Sequence, residues 1–229
     1  MAVKHVAIQL DGNRRYAKKQ GLNPMEGHRL GAVKAKKLVE EWAPELGIKE
    51  LTLYSFSMQN FGRSKVEINF LFRLFVDVFT KEATNLTNKD IKVKFIGRLH
   101  LFPKRIQNLA REVMEKTKNN LKLTVNFAFG YGSREEIIDG IKKLAHDIKQ
   151  GKLHPDKIDE NLFSSYLYLN SDPEIVIRTG GAMRTSNFLL WQSNYSEWFF
   201  LQKTWPEFEK EDLMAVLQEF QQRERRFGK

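Results

Sequence analysis

Apolar positions along this chain switch repeatedly between a period of two and a period near 3.6, and each switch marks an element boundary. Val3 to Leu10 reads as a short buried strand that stops at the turn signal Asp11-Gly12-Asn13. From about Arg29 to Ala43, residues Ala32, Ala35, Leu38, Val39 and Trp42 recur near helical spacing, Gly47 breaks the pattern, and Leu51 to Phe56 forms the next strand. A helix follows from about Lys65 into the region of Phe79. Its apolar residues Ile68, Leu71, Phe72, Leu74, Phe75, Val76 and Phe79 cover more of the circumference than one core-facing stripe requires. One face can pack on a sheet, and the other needs a second helix or an apolar ligand.

The alternation continues with a strand at Ile91 to Ile96, a helix after Pro103, a strand at Leu121 to Phe129 and a helix from Ser133 to about Lys149. A short helix at Glu160 to Tyr168 and a short strand at Glu174 to Ile177 come next. Two final strand candidates, Phe188 to Trp191 and Glu197 to Phe200, lead into a closing helix from about Glu209 to Arg226. Six or seven strands alternating with helices predict an α/β fold with a mostly parallel sheet flanked by helices. No repeat, low-complexity stretch or domain break interrupts the 229 residues, so 1–229 reads as one domain. Sheets of this kind bind ligands at the C-terminal ends of their strands, which directs attention to the polar residues just after each strand.

Composition changes this picture in three ways. Seventeen Phe supply more aromatic material than an ordinary core of this size demands. A formal charge of +10 concentrates anionic ligands, whether nucleic acid, lipid headgroups or small diphosphates. The absence of cysteine excludes disulfides and thiol catalysis. The start at Met1 runs straight into the first strand, and no apolar stretch approaches the roughly 20 residues of a spanning helix. The expectation is a cytoplasmic protein, with peripheral membrane contact left open.

The candidate chemistry falls into clusters at presumed strand ends. Asp11 precedes Gly12, where a tight turn lets backbone N–H groups approach an anion; a carboxylate facing a phosphorylated ligand would need Mg²⁺ between them. The bland alternative is an Asx turn. Arg14, Arg15 and His28 follow on the connection and the next helix, and arginine's fork suits phosphate oxygens. Ser57, Asn60, Phe61 and Arg63 combine a hydroxyl, an amide, a ring and a guanidinium after the second strand, a mixture that suits an amphiphile. The densest cluster is Arg178-Thr179-Gly180-Gly181 with Arg184-Thr185-Ser186-Asn187, where glycine N–H groups could form a phosphate nest. It matches neither a P-loop nor a dinucleotide fingerprint. Glu197 stands in an aromatic run, where an interior carboxylate needs a partner or a metal. The Arg223 to Gly228 tail, taken alone, reads as a basic terminus. His100, His146 and His154 form no metal-ligand pattern, and no RNA-binding signature surrounds the tryptophans, so nucleic acid is not an expected partner.

Together these motifs resemble the cis-prenyltransferase family, which includes undecaprenyl diphosphate synthases and the catalytic subunit of dehydrodolichyl diphosphate synthase. The resemblance runs from His5-Val6-Ala7-Ile8 and Asp11-Gly12-Asn13-Arg14-Arg15-Tyr16-Ala17 through Gly27-His28, Leu53 to Ser57, Asn60-Phe61-Gly62-Arg63-Ser64 and Gly130 to Arg134. It is densest from Ile177 to Trp191 and closes with Trp205-Pro206 and the tail. It implies a Mg²⁺-dependent enzyme that joins isopentenyl diphosphate to an allylic prenyl diphosphate on a fold with a hydrophobic tunnel. In that reading Asp11 binds the metal and Gly12, Asn13, Arg14 and Arg15, with Tyr16 beside them, cradle the allylic diphosphate. His28, Ser57 and Asn60 lie around the reacting groups with Phe61 and Arg63. Arg178, Arg184 and Ser186 bind the second diphosphate and Glu197 is a further metal ligand. Arg226 and Gly228 complete the site across a homodimer interface.

Three positions depart from the pattern. Gln59 and Ala182 stand where Glu is common, and Pro24 stands where many bacterial relatives carry Arg. The resemblance also implies that the helix around Leu71 to Phe79 is one wall of the tunnel. Phe127 and Phe129 are candidates for narrowing it and Ser55 is not. Irregular coupling of dimethylallyl units, and a noncatalytic prenyl-lipid-binding subunit, are the alternatives on the same fold.

Overall fold

The computed structural model describes residues 3–223. Among them, six strands form one sheet: β1 (His5–Gln9), β2 (Glu50–Ser57), β3 (Ile91–Ile96), β4 (Leu123–Tyr131), β5 (Ile175–Arg178) and β6 (Glu197–Phe200). The helices are α1 (Asn13–Lys19), α2 (Pro24–Lys37), α3 (Ala43–Glu45), α4 (Lys65–Asn88), α5 (Lys104–Thr117), α6 (Ser133–Lys149), α7 (Glu160–Tyr166) and α8 (Lys210–Gln222). Every strand pairing is parallel, in the order β3-β4-β2-β1-β5-β6.

Alternation along the strands builds a core on each face of the sheet. Val6 and Ile8 of β1, Leu51 and Leu53 of β2 and Ile175 and Ile177 of β5 point into the larger core with Phe75 and Phe79 of α4, Val113 of α5 and Val216 of α8. Ala7 and Val176 point the other way, against Tyr131, Leu169, Phe188 and Leu189. All five residues of β1 are buried, as expected for a strand covered on both faces.

The strand order places the site. The chain leaves β1 towards β2 and later crosses to β5 on the other side, so β1 is where the winding reverses. Connections diverge there and open a crevice beyond the strand ends. Asp11 lies just past the end of β1, Ser57 ends β2 and Arg178 ends β5.

Three elements differ from the sequence reading. Helix α1 has one buried residue, Ala17, so it carries no apolar period to detect. Helix α2 begins at Pro24, earlier than its apolar pattern, because Asn23 caps it by accepting the Met25 N–H at 2.9 Å and Pro24 fits the first turn. Beyond Lys37 this helix widens into a π-helical segment, Leu38–Trp42. The apolar run Phe188 to Trp191 is a turn rather than a strand, with Phe188 and Leu189 buried and Leu190 exposed. Ser186, Asn187 and Leu189 have φ of 48°, 64° and 47°, values that no strand accepts. Phe188 is buried by stacking on Tyr54, with ring centroids 4.5 Å apart.

Candidate functional site

Asp11 is held by its backbone before its side chain does anything. The Thr179 hydroxyl donates to the Asp11 carbonyl at 2.7 Å and accepts the Asp11 N–H at 3.1 Å, which ties the ends of β1 and β5 together. The carboxylate then accepts from Arg178 Nη2 at 2.9 Å and from Arg15 Nη2 at 2.8 Å. Burial pushes the Asp11 carboxyl up, but these two hydrogen bonds and both guanidinium charges outweigh it and hold the group below the usual aspartate value. Asp11 is therefore an anion fixed between two cations.

Gly12 follows at φ 107°, and a Cβ there would lie 2.6 Å from Thr204 Cβ. It is the N-cap of α1 and has no side chain to cap with, so the first-turn N–H groups lack a side-chain partner. Asn13 Oδ1 is buried with no hydrogen-bond partner among the described residues. Helix α2 packs closely on this turn: a Cβ on Gly27 would lie 2.1 Å from the Asn13 carbonyl oxygen.

His28 and Arg63 meet at Glu67. The buried Glu67 carboxylate lies 3.1 Å from His28 Nε2, accepts from Arg63 Nη1 at 2.8 Å and has Arg14 Nη1 at 3.6 Å. Burial lowers the His28 pKa more than Glu67 raises it, with the charges of Arg63 and Arg14 adding to the lowering. The neutral ring donates from Nε2 to Glu67 and keeps Nδ1 as an acceptor. Glu67 escaped the sequence reading, although Ser64, whose hydroxyl accepts the Glu67 N–H at 3.3 Å, and the Arg63/Glu67 spacing are visible as a helix-start signal.

On the other side, Arg178 is almost fully buried and donates through Nη1 to Ser186 Oγ at 2.7 Å and to the Arg184 carbonyl. Gln9 and Tyr54 brace the same loop: Gln9 Nε2 donates to the Thr185 carbonyl at 2.5 Å, and the Tyr54 hydroxyl is 3.4 Å from the carbonyls of Ser186 and Asn187. The glycine nest expected here does not form. The N–H groups of Gly180 and Gly181 are spent on the carbonyls of Lys203 and Leu201, at 2.7 and 2.8 Å, which dock this loop on the chain after β6. Ser57 and Asn60 hold each other at the end of β2, where Asn60 Oδ1 accepts the Ser57 N–H at 3.0 Å.

Three cavities converge on Leu10, which lines all of them. The first polar cavity, about 630 Å³, is lined by Asp11, Gly12, Asn13, Arg14, Arg15, Pro24, His28 and Arg63. The second, about 700 Å³, is lined by Asp11, Ser57, Gln59, Asn60, Arg63, Arg134, Arg178, Arg184 and Ser186. Asp11 and Arg63 stand on the boundary between them. The third cavity is apolar. Leu71, Leu74, Phe75, Val78 and Phe79 of α4 form its wall at helical spacing, with Ser55, Phe127 and Phe129 from the sheet. Asn13 and His28 line both this cavity and the first polar one, so one cationic cavity opens onto apolar space.

Several expected site residues lie elsewhere. Phe61 packs into the aromatic core, 4.9 Å from Phe56 and 5.1 Å from Phe102 between centroids, and lines none of the three cavities. Tyr16 on α1 and Ala182 also lie outside them. Glu197 does not join Asp11 within the chain. It begins β6 opposite Ile175, whereas Arg178 is level with Phe200, which puts Glu197 about 10 Å down the strand from the site end. Its carboxylate accepts from Arg223 Nη1 at 2.7 Å. Arg226 and Gly228 lie outside the described residues.

Among the described residues there is no group of three or more His, Asp or Glu that could hold a metal ion. Among the described residues that line the two polar cavities, Asp11 is the only carboxylate. A single carboxylate facing anion-sized cationic space suits Mg²⁺, which completes its shell with substrate phosphates and water, and does not suit a dedicated protein cage.

Comparison with known proteins decides the family. The family model described as "Putative undecaprenyl diphosphate synthase" matches residues 9–228. The chain belongs to the cis-prenyltransferase family. As a cis-prenyltransferase it is an enzyme of prenyl transfer, and family-level synthesis of polyprenyl diphosphates follows. It is 45% identical over 230 residues to a tritrans,polycis-undecaprenyl-diphosphate synthase (geranylgeranyl-diphosphate specific) of Methanopyrus kandleri, covering 99% of this chain and 84% of that protein. It is 44% identical to an isoprenyl transferase of Thermotoga maritima, covering 98% and 96%. Among solved structures, lavandulyl diphosphate synthase from Lavandula x intermedia in complex with dimethylallyl diphosphate superposes with a TM-score of 0.95 at 35% identity, covering 100% and 99%. A probable undecaprenyl diphosphate synthase from Campylobacter jejuni gives 0.83 at 32%, with 99% of each chain covered.

Proposed function

We propose that this cis-prenyltransferase condenses isopentenyl diphosphate with an allylic prenyl diphosphate to give a cis-polyprenyl diphosphate. One observation carries the reading: Asp11 stands between two cationic cavities, and one of them shares Asn13 and His28 with an apolar cavity. A substrate with a diphosphate head and a long prenyl tail fits the first polar cavity with its tail among Leu71, Phe75 and Phe79. A diphosphate with a short tail fits the second, at Arg178, Arg184 and Ser186. Their reacting ends then meet beside Leu10 and Asp11.

Arg14 and Arg15 neutralise the allylic diphosphate as its bond to C1 breaks and it leaves with the electron pair. The isopentenyl double bond attacks C1, and loss of a proton from the acceptor leaves the new double bond. Asp11 would hold Mg²⁺, which when bound supplies positive charge to the departing diphosphate. Neutral His28, fixed by Glu67, offers an acceptor nitrogen at the mouth of the apolar cavity without adding to the charge of Arg14, Arg15, Lys18 and Arg63. The reading includes a homodimer in which Arg226 and Gly228 reach the partner's site.

The test is incorporation of labelled isopentenyl diphosphate with geranyl, farnesyl and geranylgeranyl primers, with Mg²⁺ or with chelator, followed by mass spectrometry of the product. Elongation that needs metal and disappears in Asp11→Ala is expected. No incorporation with any primer would sink the reading. The structural likeness to lavandulyl diphosphate synthase favours a second reading, irregular coupling of dimethylallyl units. Dimethylallyl diphosphate supplied alone gives a branched or cyclised product under that reading and none under the first. The closeness to the Methanopyrus kandleri synthase puts regular elongation ahead.

A further inference from the structure

Among the described residues, four arginines line the second polar cavity, and the fold leaves the guanidiniums of two of them for a ligand. Arg63 donates to the buried Glu67 carboxylate at 2.8 Å. Arg178 is committed on both arms of its fork, through Nη2 to Asp11 and through Nη1 to Ser186 Oγ and the Arg184 carbonyl. No described residue engages the guanidinium of Arg184 or of Arg134, and both residues are exposed. Arg184 lies on the loop after β5, and Arg134 lies in the first turn of α6, just after β4.

Strands β2 and β1 lie between β4 and β5 in the sheet, so these two arginines start from separate strand ends. Asn187 joins them. Its Oδ1 accepts the Arg134 N–H at 2.9 Å and its carbonyl accepts the Ser133 N–H at 2.9 Å, which caps α6 from another segment of the chain. Gly132, at the N-cap position, has no side chain to do this, and a Cβ there would lie 2.6 Å from Asn187 Nδ2. Asn187 Nδ2 donates to Glu135 at 2.8 Å; a carboxylate only accepts, so this contact fixes the amide with Oδ1 towards Arg134. Asn187 also helps to turn the loop, at φ 64°, a left-handed conformation that asparagine tolerates better than most residues. The first N–H groups of α6 are thus satisfied by protein. What this helix end offers the cavity is the Arg134 side chain.

We propose that Arg134 is a further binding residue for the second diphosphate, paired with Arg184, and that Asn187 positions the pair by capping α6. The proposal rests on the reading that this cavity takes isopentenyl diphosphate. Two uncommitted guanidiniums give a diphosphate charge-assisted hydrogen bonds that Arg184 alone does not supply.

The measurement is calorimetric affinity of the full chain for isopentenyl diphosphate and, separately, for farnesyl diphosphate, so no turnover is needed. Arg134→Ala should weaken isopentenyl diphosphate by roughly 10- to 150-fold, the loss of one charge-assisted bond, and leave farnesyl diphosphate unchanged. Asn187→Gly keeps the positive φ and removes the amide; it should weaken the same ligand by roughly 2- to 10-fold, the worth of one ordinary hydrogen bond. In Arg134→Ala/Asn187→Gly the loss should fall short of the product of the single losses, because one residue acts through the other. Asn187→Asp sets a carboxylate against Glu135 and should also weaken binding, whereas Asn187→Asp/Glu135→Gln exchanges amide and carboxylate and should restore it. Unchanged farnesyl diphosphate affinity shows that each variant is folded.

Wild-type affinity for isopentenyl diphosphate in Arg134→Ala overturns the proposal. Equal losses for both diphosphates also overturn it, as does a double variant whose losses multiply or an exchanged pair that stays as weak as Asn187→Asp. Arg184→Ala is the reference. If it weakens isopentenyl diphosphate and Arg134→Ala does not, this proposal alone fails; if neither does, the placement of isopentenyl diphosphate in this cavity fails with it.

Discussion

The assignment of two diphosphates to two cavities makes a prediction that can be tested with two single substitutions. Arg14 lines only the cavity that opens onto apolar space, and Arg184 lines only the other. Both are exposed; Arg14 has one weak tie, 3.6 Å to Glu67. Truncating either to Ala should therefore leave stability within about 0.5 kcal/mol of wild type. Each guanidinium is placed to give a diphosphate a charge-assisted hydrogen bond, and losing one costs about 1.5–3 kcal/mol. At about 1.4 kcal/mol per tenfold, KM rises roughly 10- to 150-fold. The assay is initial rate with one substrate varied and the other saturating. Arg184→Ala should raise the KM for isopentenyl diphosphate and spare the allylic substrate, and Arg14→Ala should do the reverse. If each variant raises both constants equally, the two-cavity assignment is wrong; if the constants cross over, the substrates have been placed in the wrong cavities.

Glu67→Gln keeps the shape of the His28–Arg63 junction and removes its charge; kcat/KM should fall by roughly tenfold, the loss of about one charge-assisted bond. Because Glu67 raises the His28 pKa, the same variant should lower it further by NMR titration, and an unchanged value would remove Glu67 from the account. Gly27→Ala puts a methyl 2.1 Å from the Asn13 carbonyl and should cost about 1–3 kcal/mol, lowering Tm by about 2–12 °C by calorimetry. Gly62→Ala, with nothing within 4 Å of the new methyl, should change Tm little. The fold lowers the pKa of His5 and His28 below the ordinary value of 6.5, chiefly by burial, so the unfolded chain takes up their protons first as pH falls. Urea-unfolding free energy should then decrease from about pH 7 to about pH 5.5, and His28→Gln should flatten that decrease; a rise on acidification would contradict the sign.

The sequence by itself determined the alternation of strands and helices and the residues just beyond them. Period and turn chemistry are local properties, and Asp11, Arg178 and Ser57 could be picked out because strand ends are where a parallel sheet exposes polar groups. The surplus of apolar residues on α4 was equally legible, since Ile68, Leu71, Phe72, Leu74, Phe75, Val76 and Phe79 cover more of the circumference than one core-facing stripe requires. What depended on long-range packing was not. Helix α1 is almost wholly polar and shows no period. Phe188 to Trp191 has strand composition, but positive φ at Ser186, Asn187 and Leu189 turns it into a corner that buries Phe188 against Tyr54.

Tertiary structure alone decided which charges meet. Glu67 is unremarkable in sequence until α4 brings it under His28 of α2, and the register of β5 and β6 sets Glu197, within one chain, at the opposite strand end from Arg178. The glycines after Arg178 suggest an anion nest until their N–H groups are seen bound to Leu201 and Lys203. Residue type and spacing constrain what a short segment can do, whereas a site is assembled from segments far apart in the chain. Their register and docking follow from burial of the whole sheet rather than from any one of them.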